Sequence, residues 1–356
     1  MATMRAFLTD GNGSGHVQNV TIPTLGAGEI LVKTHYAALN PGDWKLVEGD
    51  VATGPAPKDL IVGCDFAGVV EDANNSHWSR GQRVAGFVHG TNEAFPKVGA
   101  FAEYITIEAS LVYAIPDNVT FQQACTIPLA FATATQALYR RIVLPEPSLS
   151  RRKQNLDLLV YGASTSVGQY AIQLAKLSGL RVFAVAGSKN HDMLKDLGAD
   201  LTFDYRDEGW AAQVEGVAGE DLRYALDCIA EGGSPEKITE ILSHTDGHHL
   251  VALSPVDRDA ISKIHPSLKA ESTIAFSVFG KPLGWGVFDN EDGPILLDDK
   301  KLWEDMLQWL PLVLEKGGLK PNQVKEVGTL DDVQEAFTLS KQGKVSAEKI
   351  VLKVIR

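Results

Sequence analysis

The residues best arranged to do chemistry together are Leu158-Leu159-Val160-Tyr161-Gly162-Ala163-Ser164-Thr165-Ser166-Val167-Gly168, followed by the helical stretch 169–177. An apolar strand that runs into a small-residue turn and then a helix leaves free N–H groups able to face a pyrophosphate. Thr165 stands where the usual Gly-rich pattern has its middle glycine, so the hydroxyls of Ser164, Thr165 and Ser166 become candidate phosphate contacts. A tight strand–helix turn without a ligand would read the same way, and the motif alone leaves both readings open. The following strand adds weight. A site that prefers NAD places Asp or Glu about 20 residues beyond the turn to grip the ribose hydroxyls. Here that strand ends Ala184-Val185-Ala186-Gly187-Ser188-Lys189, with a hydroxyl and an ammonium in place of a carboxylate. Both can donate to a 2′-phosphate, which a carboxylate would repel. A lone loop lysine is more often merely solvated, but this one sits at the strand end. Tyr205, ending the next strand, is a third candidate donor, and Leu253 completes a cofactor set of Gly162, Ser164–Gly168, Ser188, Lys189, Tyr205 and Leu253. The cofactor expected is NADPH.

These residues need a parallel sheet to carry them. From about residue 128 apolar runs alternate with helical stretches, with strands expected at 156–161, 180–186, 201–204, 223–228, 249–253 and 273–278. That rhythm indicates a Rossmann, doubly wound α/β unit. The first 125 residues instead hold short β-type runs such as Glu29–Thr34, Arg83–Phe87 and Phe101–Ile105, separated by Gly and Pro, which suggests a β-barrel-like unit. A closing strand at 349–354 has no place in a finished six-stranded sheet, so the C-terminus is expected to return to the first unit. An amphipathic helix around 302–314 precedes it.

Bulk properties narrow the function. At 356 residues two domains are expected, and the hydrophobic fraction of 44% with 22% charged is that of a soluble globular protein. No segment approaches the roughly 18–20 apolar residues of a membrane helix, and the start reads as a strand rather than a signal peptide. Three scattered cysteines, Cys64, Cys125 and Cys228, argue for a reducing compartment, and the cytoplasm is the expected location. A net charge of −12 speaks against nucleic acid as a partner.

Several phrases, in order along nearly the whole chain, resemble the medium-chain dehydrogenase/reductase superfamily. They include Ala38-Leu39-Asn40-Pro41-Gly42-Asp43-Trp44-Lys45, Gly63-Cys64-Asp65-Phe66-Ala67-Gly68, Gly81-Gln82-Arg83-Val84, Ala132-Thr133-Ala134-Thr135 and Gly343-Lys344-Val345-Ser346. With Gly86-Phe87-Val88-His89-Gly90 and Leu144-Pro145-Glu146-Pro147, the likeness is nearest to fungal enoyl reductases that work in trans with polyketide synthases. The resemblance implies a GroES-like catalytic domain, 1–127 with 291–356, and a Rossmann domain, 128–290, with a substrate cleft between them. It implies Lys45 as a carbonyl or acyl-chain contact and Thr133 near the nicotinamide amide. Asn40 is a third catalytic candidate, although it and Asp43 also read as braces of their loop.

Zinc-dependent members of the superfamily carry Cys, His and an acidic ligand, plus a lobe of four cysteines. Here the corresponding stretches are Asn40-Pro41-Gly42-Asp43 and Cys64-Asp65, the cysteine lobe is missing, and no metal is expected. Cys64 reads as a buried structural thiol, and His244, His248 and His249 as surface or packing residues. Without a Lewis acid, reduction of a conjugated C=C bond is the easier reaction. Some related enoyl reductases donate the proton from a tyrosine, yet none stands between Tyr36 and Tyr104.

Four readings follow: reduction of a carrier-bound enoyl thioester, reduction of free enones or quinones, double-bond isomerisation without redox change, and a non-catalytic NADPH-binding protein. The basic cluster Arg151-Arg152-Lys153, with Arg140 and Arg141, is either a landing place for an acyl carrier protein or a solvated loop. Phe279-Gly280 and Trp285 are candidate cleft residues.

Overall fold

The computed structural model describes residues 2–49, 54–150, 153–219, 222–242, 247–281 and 293–355. The chain divides into two compact units: Met1–Leu129 with Glu304–Lys316 and Pro321–Arg356, and Ala130–Trp303 with Gly317–Lys320.

The first unit begins with a hairpin of β1 (Thr3–Thr9) and β2 (Gly15–Thr21). Then come β3 (Glu29–Ala38), helix α1 (Pro41–Glu48), β4 (Asp65–Asp72), β5 (Arg83–Phe87), β6 (Tyr104–Glu108), β7 (Val112–Ala114) and the short helix α2 (Phe121–Ala124). Helix α3 (Pro128–Gln136) follows and runs on into a π-helical turn, Ala137–Arg141.

The second unit continues β8 (Asp157–Tyr161), α4 (Ser166–Leu177), β9 (Arg181–Val185), α5 (His191–Asp196), β10 (Leu201–Phe203), α6 (Trp210–Ala218), β11 (Tyr224–Asp227), α7 (Ser234–Ile241), β12 (His249–Ala252), α8 (Arg258–Ile264) and β13 (Lys269–Ser272). Its sheet is parallel, in the order β10-β9-β8-β11-β12-β13. That is the doubly wound order, and it reverses between β8 and β11, where such sheets bind ligands at the strand C-termini. Leu159, Phe183, Ala225 and Leu250 pack with Trp210, Val214, Ile238 and Ile261 from α6, α7 and α8. Strand side chains alternate, so Leu158 and Val160 point to the other face, and α4 packs on β8 and β9 there. Strands covered on both faces appear in sequence as unbroken apolar runs, which is why five of the six were legible.

The sixth was not. The expected strand at 273–278 is in fact preceded by the edge strand Lys269–Ser272, and Ala275–Phe279 forms a 3-10 turn whose Ala275, Phe276 and Val278 are buried. A short apolar run has the same look in a strand or a buried turn, whereas a charged edge strand has no hydrophobic signature.

The chain returns through α9 (Gly293–Glu315), β14 (Gln323–Thr329), α10 (Val333–Lys341) and β15 (Glu348–Lys353). The first unit's main sheet has the order β14-β15-β3-β4-β5-β7, with β6 also on β3. β15 thus pairs antiparallel with β3, with Val351 opposite Ala38, so the last strand does rejoin the first unit. The change of unit falls inside α9, between Trp303 and Glu304, later than the expected 291. An unbroken helix carries no signal at that point.

Candidate functional site

At the end of β8 the chain turns on Gly162, whose φ of +69° is natural for glycine. A side chain there would come within 2.7 Å of Ile229 Cγ1. The Ala163 amide donates to Val185 O (3.0 Å), which ties the turn to the end of β9. Thr165 caps α4: its hydroxyl oxygen accepts from the Gly168 amide at 3.1 Å. The non-glycine at that position therefore has a structural task of its own. A Cβ on Gly168 would lie 2.7 Å from both the Cα and the O of Ala163, so only glycine brings helix and turn this close. Ser166 and Val167 are the first two residues of α4, and amides in those positions have no intrahelical acceptor. The hydroxyls of Ser164 and Ser166 have no partner among the described residues. Leu253 is half-buried just beyond β12, with its amide on Asp227 O (3.1 Å). The turn thus offers unspent donors at the switch point of the sheet, a good fit to a dinucleotide pyrophosphate.

Ser188 and Lys189 are exposed just past β9, and Tyr205 is 48% exposed past β10. A carboxylate does stand here, supplied by the neighbouring strand. Asp204 accepts from the backbone amides of Ser188 and Arg206, each at 3.0 Å, and these bonds hold its carboxyl below the usual range. It is spent on the local backbone. Arg206 escaped the sequence reading. Its guanidinium lies 2.8 Å from where a Gly187 Cβ would be and 5.4 Å from the Tyr205 ring centroid, so it covers the end of β9. An arginine closely following the strand next to β9 was the available signal. Ser188, Lys189, Tyr205 and Arg206 thus gather just past the ends of β9 and β10.

In the first unit Asn40, Asp43, Cys64 and Asp65 meet in the interior. The Asn40 amide donates to Asp43 Oδ2 at 2.7 Å and the Asn40 Nδ2 to Asp65 Oδ2 at 2.9 Å. Lys349 Nζ donates to Asn40 Oδ1 and sits 3.2 Å from Asp65 Oδ2, while Asp65 Oδ1 accepts the Leu129 amide at 2.7 Å. Asp65 has no exposed surface and Lys349 only 4%. Burial pushes the Asp43 carboxyl up to about 7, raises Asp65 as well, and lifts the Cys64 thiol well above its ordinary value. A zinc ion needs a thiolate and free carboxylate or imidazole donors. Here the thiol keeps its proton and Asp65 is committed to an ammonium, an amide and a backbone N–H. Among the described residues no group of three His, Cys, Asp or Glu could hold a metal. The corner does not fit zinc.

Asn40, a catalytic candidate from sequence, has its side chain bonded to Asp65 and Lys349 inside this corner. Lys45 is exposed on α1, its ammonium 5.7 Å from the Trp44 ring centroid, and Thr133 is half-buried on α3. Arg141, expected in a basic surface cluster, is buried and paired with Asp299 at 2.8 Å. His248 and His249 are buried, with His249 Nε2 2.6 Å from Glu271 Oε1. Arg151, Arg152, His244 and Trp285 lie outside the described residues. No helix is long and apolar enough to cross a membrane among the described residues.

Fold and site define a GroES-like and Rossmann oxidoreductase of the alcohol dehydrogenase kind. The alcohol dehydrogenase GroES-like domain matches residues 26–117 and the zinc-binding dehydrogenase domain residues 166–290. A trans-enoyl reductase of Alternaria alternata is 34% identical over 99% of this chain and 100% of its own length. One of Penicillium crustosum is 32% identical over 98% and 96%. The chain belongs to the trans-enoyl reductase family of the medium-chain dehydrogenase/reductases. In three dimensions it is similar to the CurK enoyl reductase, with a TM-score of 0.76 at 20% identity over 99% of each chain.

Proposed function

We propose that this enzyme is an NADPH-dependent, zinc-independent enoyl reductase acting in trans on a thioester-bound polyketide intermediate, carried by an acyl carrier protein. The observation that supports it most is the pairing of unspent amides at the start of α4 with the cations and hydroxyls past β9. A dinucleotide held by these groups would supply, from its nicotinamide, a hydride for the β-carbon of a conjugated thioester. Lys45, as a cation, stabilises the negative charge that gathers on the thioester oxygen. Thr133 fixes the nicotinamide's carboxamide and so the face it presents. No tyrosine stands between Tyr36 and Tyr104, which leaves water or the cofactor's surroundings to supply the α-carbon's proton. The three cysteines are free and buried, which suits work in the cytoplasm.

The test is titration with NADPH and NADH, followed by an assay on crotonyl-CoA and on the same acyl group loaded on a carrier protein. The expected result is NADPH preference, faster turnover of the carrier-bound substrate, and a product heavier by two hydrogens. An isomer of unchanged mass would replace reduction by double-bond migration. Equal rates on free enones would remove the carrier, and binding without any turnover would leave only a cofactor-binding protein.

A further inference from the structure

We infer that Asp65, held by Lys349, is a positioning residue: a single buried carboxylate sets the starts of both helices that bear the candidate substrate and cofactor contacts, α1 with Lys45 and α3 with Thr133. The inference rests on the function proposed above.

The geometry at α3 is that of a remote cap. Its first residue, Pro128, has no amide hydrogen, so Leu129 carries the first N–H of the helix, and Asp65 Oδ1 accepts it at 2.7 Å. A carboxylate in that place also complements the positive end of the helix. At α1 the relation is different. Asn40 is the N-cap residue, in a capping box with Asp43. Its Nδ2 donates to Asp65 Oδ2 and its Oδ1 accepts from Lys349. The entry of α1 is thereby anchored to the same carboxylate, five residues before Lys45. Lys349 comes from β15, which pairs with β3 and β14, and the Leu39 amide donates to Ile350 O at 3.0 Å beside it. The ammonium is thus fixed by the sheet, and through it the carboxylate.

A stability role does not account for this arrangement, because a buried ion pair gains little net stability over apolar residues of the same volume. What such a pair does provide is direction. Hydrogen bonds among carboxylate, amide and ammonium are directional, whereas an apolar plug would let either helix start rotate.

The experiment uses the full chain with Lys349→Arg, Lys349→Met and the double variant Asp65→Asn with Lys349→Gln, which removes both charges together and so guards against simple failure to fold. The charge-free double variant is expected to lose about 10-fold in kcat on the enoyl thioester, a transition-state loss of about 1.4 kcal/mol. Its NADPH affinity stays within about 2-fold and Lys349→Arg recovers most of the rate. Lys45→Ala, costly in the parent, is expected to cost much less in the double variant, since residues that act through one another are not additive. Independently of any turnover, hydrogen exchange is expected to quicken in peptides covering 40–48 and 128–136, with β8 to β12 unchanged. Additive losses with Lys45→Ala, or a rate per folded molecule equal to the parent's, would overturn the inference. Unchanged exchange at both helix starts would do so even if the parent reduced no enoyl thioester, which separates this failure from failure of the proposed reaction.

Discussion

The corner around Asp65 and the turn around Gly162 both collect residues that sequence marks as chemical, and the fold treats them in opposite ways. In the corner, Asn40 and Asp65 spend their side chains on Lys349, Leu129 and each other, out of contact with water. In the turn, the first amides of α4 and the hydroxyls of Ser164 and Ser166 are left over, and Ser188 and Lys189 project into solvent. A buried polar group must find its partner within the protein. A group left unpaired at a half-buried turn is free to find one in a ligand. Residue type nominates a site, and the state of its hydrogen bonds decides between brace and receptor.

The sharpest way to break this contrast is at Gly168. Gly168→Ala forces a Cβ against Ala163 and must displace the turn. Overpacking of this kind costs about 1–3 kcal/mol, so NADPH binding is expected to weaken up to ~100-fold. The corner, which shares no residue with the turn, keeps its exchange protection. Fluorescence titration of NADPH reads the result, and undiminished affinity would show that the turn is not the receptor. The next effect is smaller and more selective. Arg206→Ala and Lys189→Ala each remove a charge-assisted donor, for about 10-fold in NADPH affinity, while NADH binding stays within about 2-fold. If both cofactors weaken alike, these cations support the loop and read no phosphate.

Much of the turn was legible because its logic is local. A buried strand, a small-residue turn and a helix start follow one another within some 12 residues, and the periodic apolar runs gave five strands of the doubly wound sheet. Arg206 was missed because its role depends on β10 lying beside β9, a neighbour relation that only the folded sheet creates. The corner was less legible still. Asn40 could be suspected of bracing its loop, but Lys349 lies 309 positions away and looks in sequence like one more strand lysine. Arg141 taught the same lesson: a basic residue in a basic run was buried on Asp299. The edge strand β13 shows a different limit, since a short charged segment pairs through its backbone and leaves no trace in the hydrophobic pattern.

The corner also carries a pH signature, and Asp43 is the group to test. Its carboxyl is raised from 3.8 to about 7, first by burial, against the opposing pull of the Asn40 amide and the Cys64 thiol. Between those two pH values the folded protein holds a proton that the unfolded chain has already released. Stability therefore falls as pH rises across that window and levels off above it. Asp65, also raised, contributes with the same sign, so the decline is shared. Asp43→Asn keeps the shape and removes one titrating group, and the melting midpoint should become flatter between about pH 4 and pH 7, by a few degrees at most. Because Asn can accept the Asn40 amide as the carboxyl did, the helix start should be retained, and only the slope should change. A variant whose midpoint drops only towards high pH would mean that Asp43 is needed in its ionised form. The corner would then be held by charge, and the contrast with the turn would rest on burial alone.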